Sequence, residues 1–255
     1  MPRLHRRALL LGLLPLAIAG PAAAQAFTAT QRTEIIEILR RALRDDPTIL
    51  RDALGGLEAA DRNARGEAQR AAIAREAEAL FRDAGDPVRG NPRGDVTIVE
   101  FFDARCGYCK QLHPAMDALL RRDTNLRVVM KDLPILGPNS VLASHALLAA
   151  QRQNRYPQLH DALMTLRVEP TEAVLRQQAE RVGLDWTRLR RDMDDPAIGR
   201  RIEANLRLAQ AVGIEGTPAL VIRGAAQPDA AGTLVPGAVD LPQLERLVAE
   251  ARAAR

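Results

Sequence analysis

The chain contains two cysteines, separated by two residues in the string Cys106-Gly107-Tyr108-Cys109. They follow an apolar, β-branched run at residues 96–102 and precede a stretch with helical periodicity, which predicts a strand leading into a helix. Backbone N–H groups at a helix start stabilise a thiolate, so this placement favours a redox-active dithiol. A structural disulfide would close too short a loop to restrain the unfolded chain. A zinc site needs four ligands, and there are two thiols.

The two thiols have unequal positions. We expect Cys106, just before the helix, to have a lowered pKa and to attack disulfides, and Cys109, one turn inside, to resolve the mixed disulfide. Gly107 and Tyr108 between them are expected to border the substrate.

A second motif, Gly216-Thr217-Pro218, precedes the apolar run Ala219–Ile222. A proline at the start of a strand is typical of a cis-prolyl turn whose exposed backbone pairs with an extended substrate chain. Taken alone the string also suits an ordinary loop. Downstream of a strand, a CxxC and a helix, it makes Thr217 and Pro218 candidate substrate-binding residues.

The N-terminus has the pattern of a secretory signal: arginines, an apolar run at residues 8–20, and small residues that offer cleavage after Ala24 or Ala26. The apolar run is too short to span a bilayer, so we expect residues 1–26 to be removed without membrane insertion. The formal net charge of +4 falls to +1 when Arg3, Arg6 and Arg7 leave with the signal. That charge does not indicate a nucleic-acid partner. Export predicts a compartment that permits disulfides.

Residues 27–85 show helical periodicity with two apolar stripes, interrupted at Asp45-Asp46-Pro47. A single helix over residues 48–82 would be too long and too poor in large side chains to form its own core. We expect these stripes to pack against the same stripes in other copies of the chain, which makes this region an oligomerisation segment. Packing on the downstream domain is the alternative. Turn formers after Asp86 place a domain boundary there.

From residue 86 to residue 255 the pattern predicts a thioredoxin-like α/β domain. Its order is strand, CxxC, helix, strand, a long helical insertion at about 140–212, two strands and a closing helix. About 170 residues suffice for one well-packed core.

Four segments in this region resemble the DsbA family of periplasmic thiol–disulfide oxidoreductases, in matching order: Gly90 to Cys109, Lys131 to Gly137, Gly216 to Pro218, and Val235 to Ala238. The helical extension resembles the suppressor-of-copper-sensitivity (ScsC-like) subgroup of disulfide isomerases. The resemblance implies a thioredoxin fold preceded by an all-helical oligomerisation stem, with Cys106 as nucleophile and Pro218 in cis. It also implies that Glu100, on the strand before the cysteines, relays protons to Cys109, and that no cofactor or metal is needed.

The Gly107-Tyr108 dipeptide and Thr217 before the proline are similar to DsbC-type isomerases rather than to strongly oxidising DsbA proteins. The expected activity is therefore a periplasmic disulfide isomerase or reductase. Its implied partners are misfolded or disulfide-bonded secreted proteins, a DsbD-like membrane thiol reductant as electron donor, and further copies of the chain. A trimer is favoured over a dimer on resemblance alone.

Two alternatives remain open at the level of sequence. One is a DsbA-like dithiol oxidase. The other is a copper(I)-binding or copper-tolerance protein, because Cys109, His113 and Met116 fall on one helical face and are soft ligands. Against the second, we expect His113 to be solvent-exposed and Met116 to be a core residue. His145 and His160 lie in the insertion without evident partners.

Overall fold

The computed structural model describes residues 27–226 and 232–254. The predicted signal, residues 1–26, lies outside the described residues. Within the described ranges no helix is both long and apolar enough to cross a membrane. Contacts divide the chain into two compact units on either side of residue 61, of which the structure describes residues 27–60 in the first and residues 61–226 and 232–254 in the second.

In the first unit, helix α1 (Ala29–Asp45) begins with a reciprocal capping box between Thr28 and Gln31. It ends at the predicted break, and helix α2 (Thr48–Arg75) follows. No residue of α1 is buried. The predicted apolar stripes therefore remain exposed in the single chain, at Ile35, Ile38, Leu39, Leu43, Ile49, Leu50, Leu54 and Leu57.

The second unit begins before the boundary indicated by the turn formers at residue 86. Helix α2 ends at Arg75, and the short helix α3 (Ala77–Phe81) follows, so residues 48–82 are not one continuous helix. Ile73, Leu80 and Phe81 are buried in a cluster with residues of the sheet. Burial of these three side chains explains why the division between units falls at Asp61 rather than near Asp86.

Five strands form one sheet in the order β1-β3-β2-β4-β5. Strands β2 and β3 are parallel, and the other pairs are antiparallel. The strands span β1 Val88–Gly90, β2 Val96–Phe102, β3 Leu126–Asp132, β4 Ala219–Gly224 and β5 Thr233–Pro236. The central three match the sequence prediction closely, whereas β1 was not predicted.

Seven helices surround the sheet within the described part of this unit after α3. They are α4 Gly107–Arg122, α5 Pro138–Gln151, α6 Tyr156–Met164, α7 Glu172–Arg181, α8 Trp186–Met193, α9 Pro196–Ala211 and α10 Leu241–Ala253. The predicted insertion is thus five helices, α5 to α9. A thioredoxin-like fold with a helical insertion, preceded by a helical segment, is confirmed.

The alternation of side chains along β2 decides what surrounds the dithiol. Ile98 and Phe102 belong to the core cluster that includes Cys109, whereas Val99 and Phe101 belong to the cluster that includes α3. Side chains two residues apart on a strand share a face. Glu100 therefore points to the same side of the sheet as the cysteines.

Lys131 of β3 lies opposite Phe101 and faces away from Glu100. Its Nζ lies 2.6 Å from Asp86 Oδ2 and donates to the backbone carbonyl of Ala79 at 2.8 Å, with its side chain 2 % exposed. Arg201 also pairs with Asp86, at 2.9 Å. These bonds connect the segment that follows α3 to the sheet and to α9.

Replacing Asp86 by Asn leaves the buried ammonium of Lys131 without its counter-ion. We expect this variant to lose about 3–5 kcal/mol of unfolding free energy, measured by chemical denaturation at neutral pH. A matched control is Glu180→Gln in the exposed Arg176–Glu180 pair, which should cost less than about 1 kcal/mol. Equal losses in the two variants would contradict the role assigned to the buried pair.

Candidate active site

The two thiols stand at the N-terminus of α4. Cys106 is the N-cap residue, with extended backbone (φ −65°, ψ 121°), and Gly107 opens the helix. Both cysteines are free thiols. Cys106 is 7 % exposed and Cys109 is 0 % exposed, so Cys106 is the more accessible of the two residues. A Cβ added at Gly107 would meet nothing within 4 Å, so the approach to Cys106 is open on that side.

The proline loop lies directly against Cys106. The Thr217–Pro218 peptide bond is cis, and the Cys106 thiol donates to the Thr217 carbonyl oxygen at 3.2 Å. On its far side the loop is held by Gly237 N–H, which donates to the Pro218 carbonyl at 2.8 Å. A cavity of about 480 Å³ borders this loop, and Gln69, Ile214, Leu234 and Pro236 are among its lining residues. The structure thus brings together two motifs that are far apart in sequence.

The environment separates the acidities of the two thiols. The pKa of Cys106 is lowered to about 5, first by a hydrogen bond from the Cys109 side chain and then by the side chain of Thr217 and the backbone N–H groups of Cys109 and Tyr108, against the effect of burial. The same bond to Cys106, together with burial, raises the pKa of Cys109 well above its usual range. Cys106 is therefore a thiolate at neutral pH while Cys109 keeps its proton.

Glu100 lies beneath the dithiol as an almost fully buried carboxyl, 3 % exposed. Burial raises its pKa to about 7; the positive charge of Arg89 opposes that shift, and the negative charge of Asp117 adds to it. The charge of Glu100 in turn raises the pKa of Cys109. A carboxyl with a pKa near neutrality exchanges protons readily at physiological pH.

Asp103, which the sequence analysis did not single out, organises the chain that leads into the CxxC. It is 0 % exposed, and its carboxylate accepts hydrogen bonds from the following donors: Arg105 N, Ile135 N, Leu136 N and Ser140 Oγ. Its backbone carbonyl accepts from Cys106 N at 3.0 Å. An aspartate directly after a buried strand and three residues before the first cysteine is the signal that could have revealed it.

Arg105 connects the loops on either side of the thiol. Its guanidinium donates to the Leu136 carbonyl and pairs with Glu169 at 2.7 Å. Exposed apolar side chains lie in the same segments, at Tyr108, Ile135, Leu136 and Val168. Tyr108 is 67 % exposed, and its contact with a bound chain stays a prediction.

The predicted surroundings of the histidines were wrong. His113 is buried, not exposed, and His160 is buried with its ring centroid 5.4 Å from that of His113. Helix α6 of the insertion packs on α4, and this contact is invisible to the periodicity of either helix alone. His145 also has a partner, since its Nδ1 lies 2.7 Å from the Met193 carbonyl.

The ligand set considered for copper(I) is not the one that the fold assembles. Among the His, Cys, Asp and Glu side chains of residues 27–226 and 232–254, the group whose ligand atoms lie within 4.8 Å of one another is His113, His160 and Asp161. Cys109 is not part of this group. Met116 is fully buried in the core, as expected.

Comparison with known proteins gives a consistent picture. The DSBA-like thioredoxin domain family matches residues 97–249. A thioredoxin-like oxidoreductase from Silicibacter pomeroyi is 40 % identical, with coverage of 70 % of this chain and 98 % of that one and a TM-score of 0.65. A linker-deletion variant of ScsC from Proteus mirabilis is 29 % identical, with coverage of 91 % and 99 % and a TM-score of 0.67.

One curated relative is much longer than this chain. A Na⁺/H⁺ antiporter, NhaA 3 of Salinispora tropica, is 35 % identical over 141 residues, which are 54 % of this chain and 22 % of the antiporter. The chain thus spans about a fifth of that relative's length. The family match covers most of the sheet, the dithiol and the proline loop, and ScsC shares nearly the whole chain: the protein belongs to the DsbA-like thioredoxin domain family and is ScsC-like within it.

Proposed function

We propose that the protein catalyses thiol–disulfide exchange on exported proteins in the periplasm, as a disulfide isomerase or reductase. The observation that carries this proposal is the contact between Cys106 and the Thr217 carbonyl, which places a thiol of pKa about 5 beside the backbone of the Pro218 loop. An extended polypeptide that pairs with this loop brings its own disulfide to the attacking sulfur.

The two thiols and Glu100 carry out both steps of the exchange. The Cys106 thiolate attacks one sulfur of a substrate disulfide, and the other substrate sulfur leaves as a thiolate that takes a proton from water. Cys109 then gives its proton to Glu100 and attacks the Cys106 sulfur, so the second substrate thiolate departs and the protein disulfide forms. In isomerisation, a substrate thiol performs the second attack and Cys106 is regenerated without net oxidation.

Isomerisation or reduction is preferred over oxidation because the Gly107-Tyr108 dipeptide and Thr217 resemble those of DsbC-type isomerases. This direction requires a reductant, for which we propose a DsbD-like membrane thiol donor. The DsbA-like oxidase is the alternative, and a reduction potential near −120 mV, about that of DsbA, would favour it.

The exposed apolar residues of α1 and of the first half of α2 support a role for the stem in self-association. We propose that residues 1–26 are a cleaved signal, that residues 27–85 form the oligomerisation segment, and that residues 86–255 form the catalytic domain. Within the oligomerisation segment, residues 27–60 would carry the contacts between copies, because residues 61–85 belong to the same compact unit as the sheet. In the proposed assembly, a trimer rather than a dimer, several dithiols surround one substrate, and effective concentration raises the rate of rearrangement.

The acidity of Cys106 can be tested by pH-dependent alkylation of the reduced protein. The thiolate fraction rises with pH, so we expect the rate to rise through a midpoint near pH 5, the pKa of Cys106. Cys109→Ala should raise the midpoint more than Thr217→Val, because the bond from Cys109 is the larger of the two effects. Tyr108→Phe is the matched control, since Tyr108 contributes through its backbone N–H. A midpoint near about 8.5, that of an ordinary thiol, would contradict the mechanism.

Glu100→Gln tests the proton acceptor. Glu100 can accept the proton of Cys109 only as a carboxylate, so the rate of the resolving step should rise as pH increases through about 7. The Gln variant should lose this rise and resolve about 100-fold more slowly at neutral pH. The measurement is a single-turnover reaction with a small disulfide, acid-quenched and followed by mass spectrometry. Glu245→Gln, on the exposed side of α10, is the control; equal rates in the two variants would remove Glu100 from the mechanism.

The double substitution Ile38→Glu/Leu39→Glu tests the stem in the full-length chain. Charges within the exposed stripe should reduce the particle mass in light scattering and lower the rate of scrambled-substrate refolding about tenfold or more, while insulin reduction persists. Arg40→Glu, outside the stripe, is the control. A variant that keeps the wild-type particle mass would show that this stripe does not hold the assembly together.

A further inference from the structure

A buried pair of histidines lies between the dithiol helix and α6, and the mechanism above does not use it. His160 is 1 % exposed, and its Nδ1 is 3.5 Å from Asp161 Oδ1. His113 is 6 % exposed, and its Nε2 is 3.4 Å from Asp117 Oδ2 and 3.7 Å from Asp161 Oδ1. His113 Nδ1 and both ring nitrogens of His160 have no hydrogen-bond partner among the described residues. Three buried imidazole nitrogens without partners are uncommon in folded proteins and call for an explanation.

The pair lies on the same side of the sheet as the resolving thiol and Glu100. His113 lies four residues after Cys109, so both side chains occupy one face of α4. Phe102 shares a face of β2 with Glu100, and its ring centroid lies 4.9 Å from that of His160. The histidines therefore lie where α6 packs on α4 and on the face of β2 that carries Glu100.

The same cluster has an opening to solvent. Side-chain exposure is 26 % for Asp117 and 46 % for Asp161, whereas Glu100 is 3 % exposed and Cys109 is 0 % exposed. A proton that Cys109 gives to Glu100 must leave a carboxyl that water hardly reaches. The two aspartates mark the side on which the cluster meets water.

Both imidazoles are suited to carry a proton. Burial lowers the pKa of His113 and lowers that of His160 to about 4. Each ring is therefore neutral at pH 7 and has one nitrogen that accepts a proton and another that releases one.

The strands β1 and β3 and the start of α6 also bring charged or titratable groups to the histidine pair. Arg89 of β1 contributes a positive charge, and Asp132 of β3 reaches the cluster through Tyr156, whose hydroxyl donates to it at 2.9 Å. The Tyr156 ring stacks on His160 with centroids 6.0 Å apart. Burial raises the pKa of Asp132 to about 7, so this carboxyl titrates in the same range as Glu100.

A metal site is the competing explanation for two histidines and a carboxylate in contact. Arg89 opposes it, because its guanidinium already donates to Asp117 Oδ1 at 2.6 Å and to Asp161 Oδ1 at 2.9 Å. A divalent ion on Asp161 would have to displace this cation or bear its repulsion. The position that a cation would fill beside these carboxylates is taken by an arginine.

We propose that His113 and His160 carry the proton between Glu100 and solvent, with Asp117 and Asp161 as its exit and Arg89 as the residue that holds both aspartates in place. The proposal rests on the roles assigned above to Cys106, Cys109 and Glu100. During dithiol oxidation Cys109 gives H⁺ to Glu100. A neutral imidazole then accepts a proton from Glu100 at one ring nitrogen while its other nitrogen releases a proton at the aspartates, which pass it to water. The electrons pass to the substrate disulfide, whose thiolates take up protons from water. Reduction of the protein disulfide runs the same path in reverse.

The test measures the resolving step in the full-length variants His160→Gln and His113→Gln. Reduced protein is mixed with oxidised glutathione, and the decay of the mixed disulfide is followed at several pH values in H₂O and D₂O. We expect resolution to slow about 10- to 100-fold at neutral pH and the solvent isotope effect to rise, because proton removal becomes limiting. The midpoint near pH 7 set by Glu100 should remain. The alkylation rate of Cys106 should not change, since neither histidine contacts its sulfur.

His145→Gln is the matched control, because His145 is bonded to Met193 outside the cluster, and it should resolve at the wild-type rate. Thermal unfolding of each variant separates misfolding from slow proton transfer. If one of the two variants does not fold, His113→Asn is measured in its place. Wild-type resolution rates and isotope effects in folded His113 and His160 variants would overturn the proposal. So would uptake of one equivalent of Zn²⁺ that is lost in His160→Gln, which would identify a metal site. If the proposed isomerase function is wrong instead, the wild-type protein should still resolve the mixed disulfide with glutathione but should not refold scrambled substrate.

Discussion

The chemistry of this protein depends on hydrogen bonds that converge on one sulfur atom. Cys106 receives bonds from the Cys109 side chain, from the side chain of Thr217 and from backbone N–H groups of the first turn of α4. Each bond favours the thiolate, and together they outweigh the cost of partial burial. The donors come from two distant parts of the chain, so the part of the acidity that Thr217 contributes requires the proline loop to be docked against the helix start.

That docking relies on the fixed geometry of the strand ends. Strand β2 delivers Asp103 to the carboxyl end of the sheet, where its carboxylate collects backbone N–H groups from both the CxxC approach and the loop after β3. Strand β4 runs antiparallel to β2 and begins at Ala219, directly after Pro218. The pairing of β4 with β2 therefore brings the proline loop to the same edge as the cysteines. The hydrogen bonds of Asp103 hold the loop after β3 at that edge.

Local sequence was enough to predict the parts of the site that local interactions determine. Strand β2 and the helix that starts at the cysteines were predicted because an apolar run, two cysteines and a helical stripe follow one another without interruption. Strand β1 was missed because Val88–Gly90 is a three-residue edge strand, too short for any periodicity and surrounded by turn formers. Its identity comes from pairing with β3, a contact between segments that are distant in sequence.

The predicted surroundings of the histidines were wrong for a related reason. His113 and His160 each lie on a helix whose polar and apolar residues are compatible with exposure, and their burial results from the packing of α6 on α4. The insertion therefore does more than extend the core: it covers the face of α4 that lies next to Cys109. Without α6, that face of α4 would meet water directly, and solvent could take protons from this side. By covering this side, the insertion protects the low-dielectric environment that raises the pKa of Glu100, and the proposed proton route runs between α4 and α6, through groups that both helices provide.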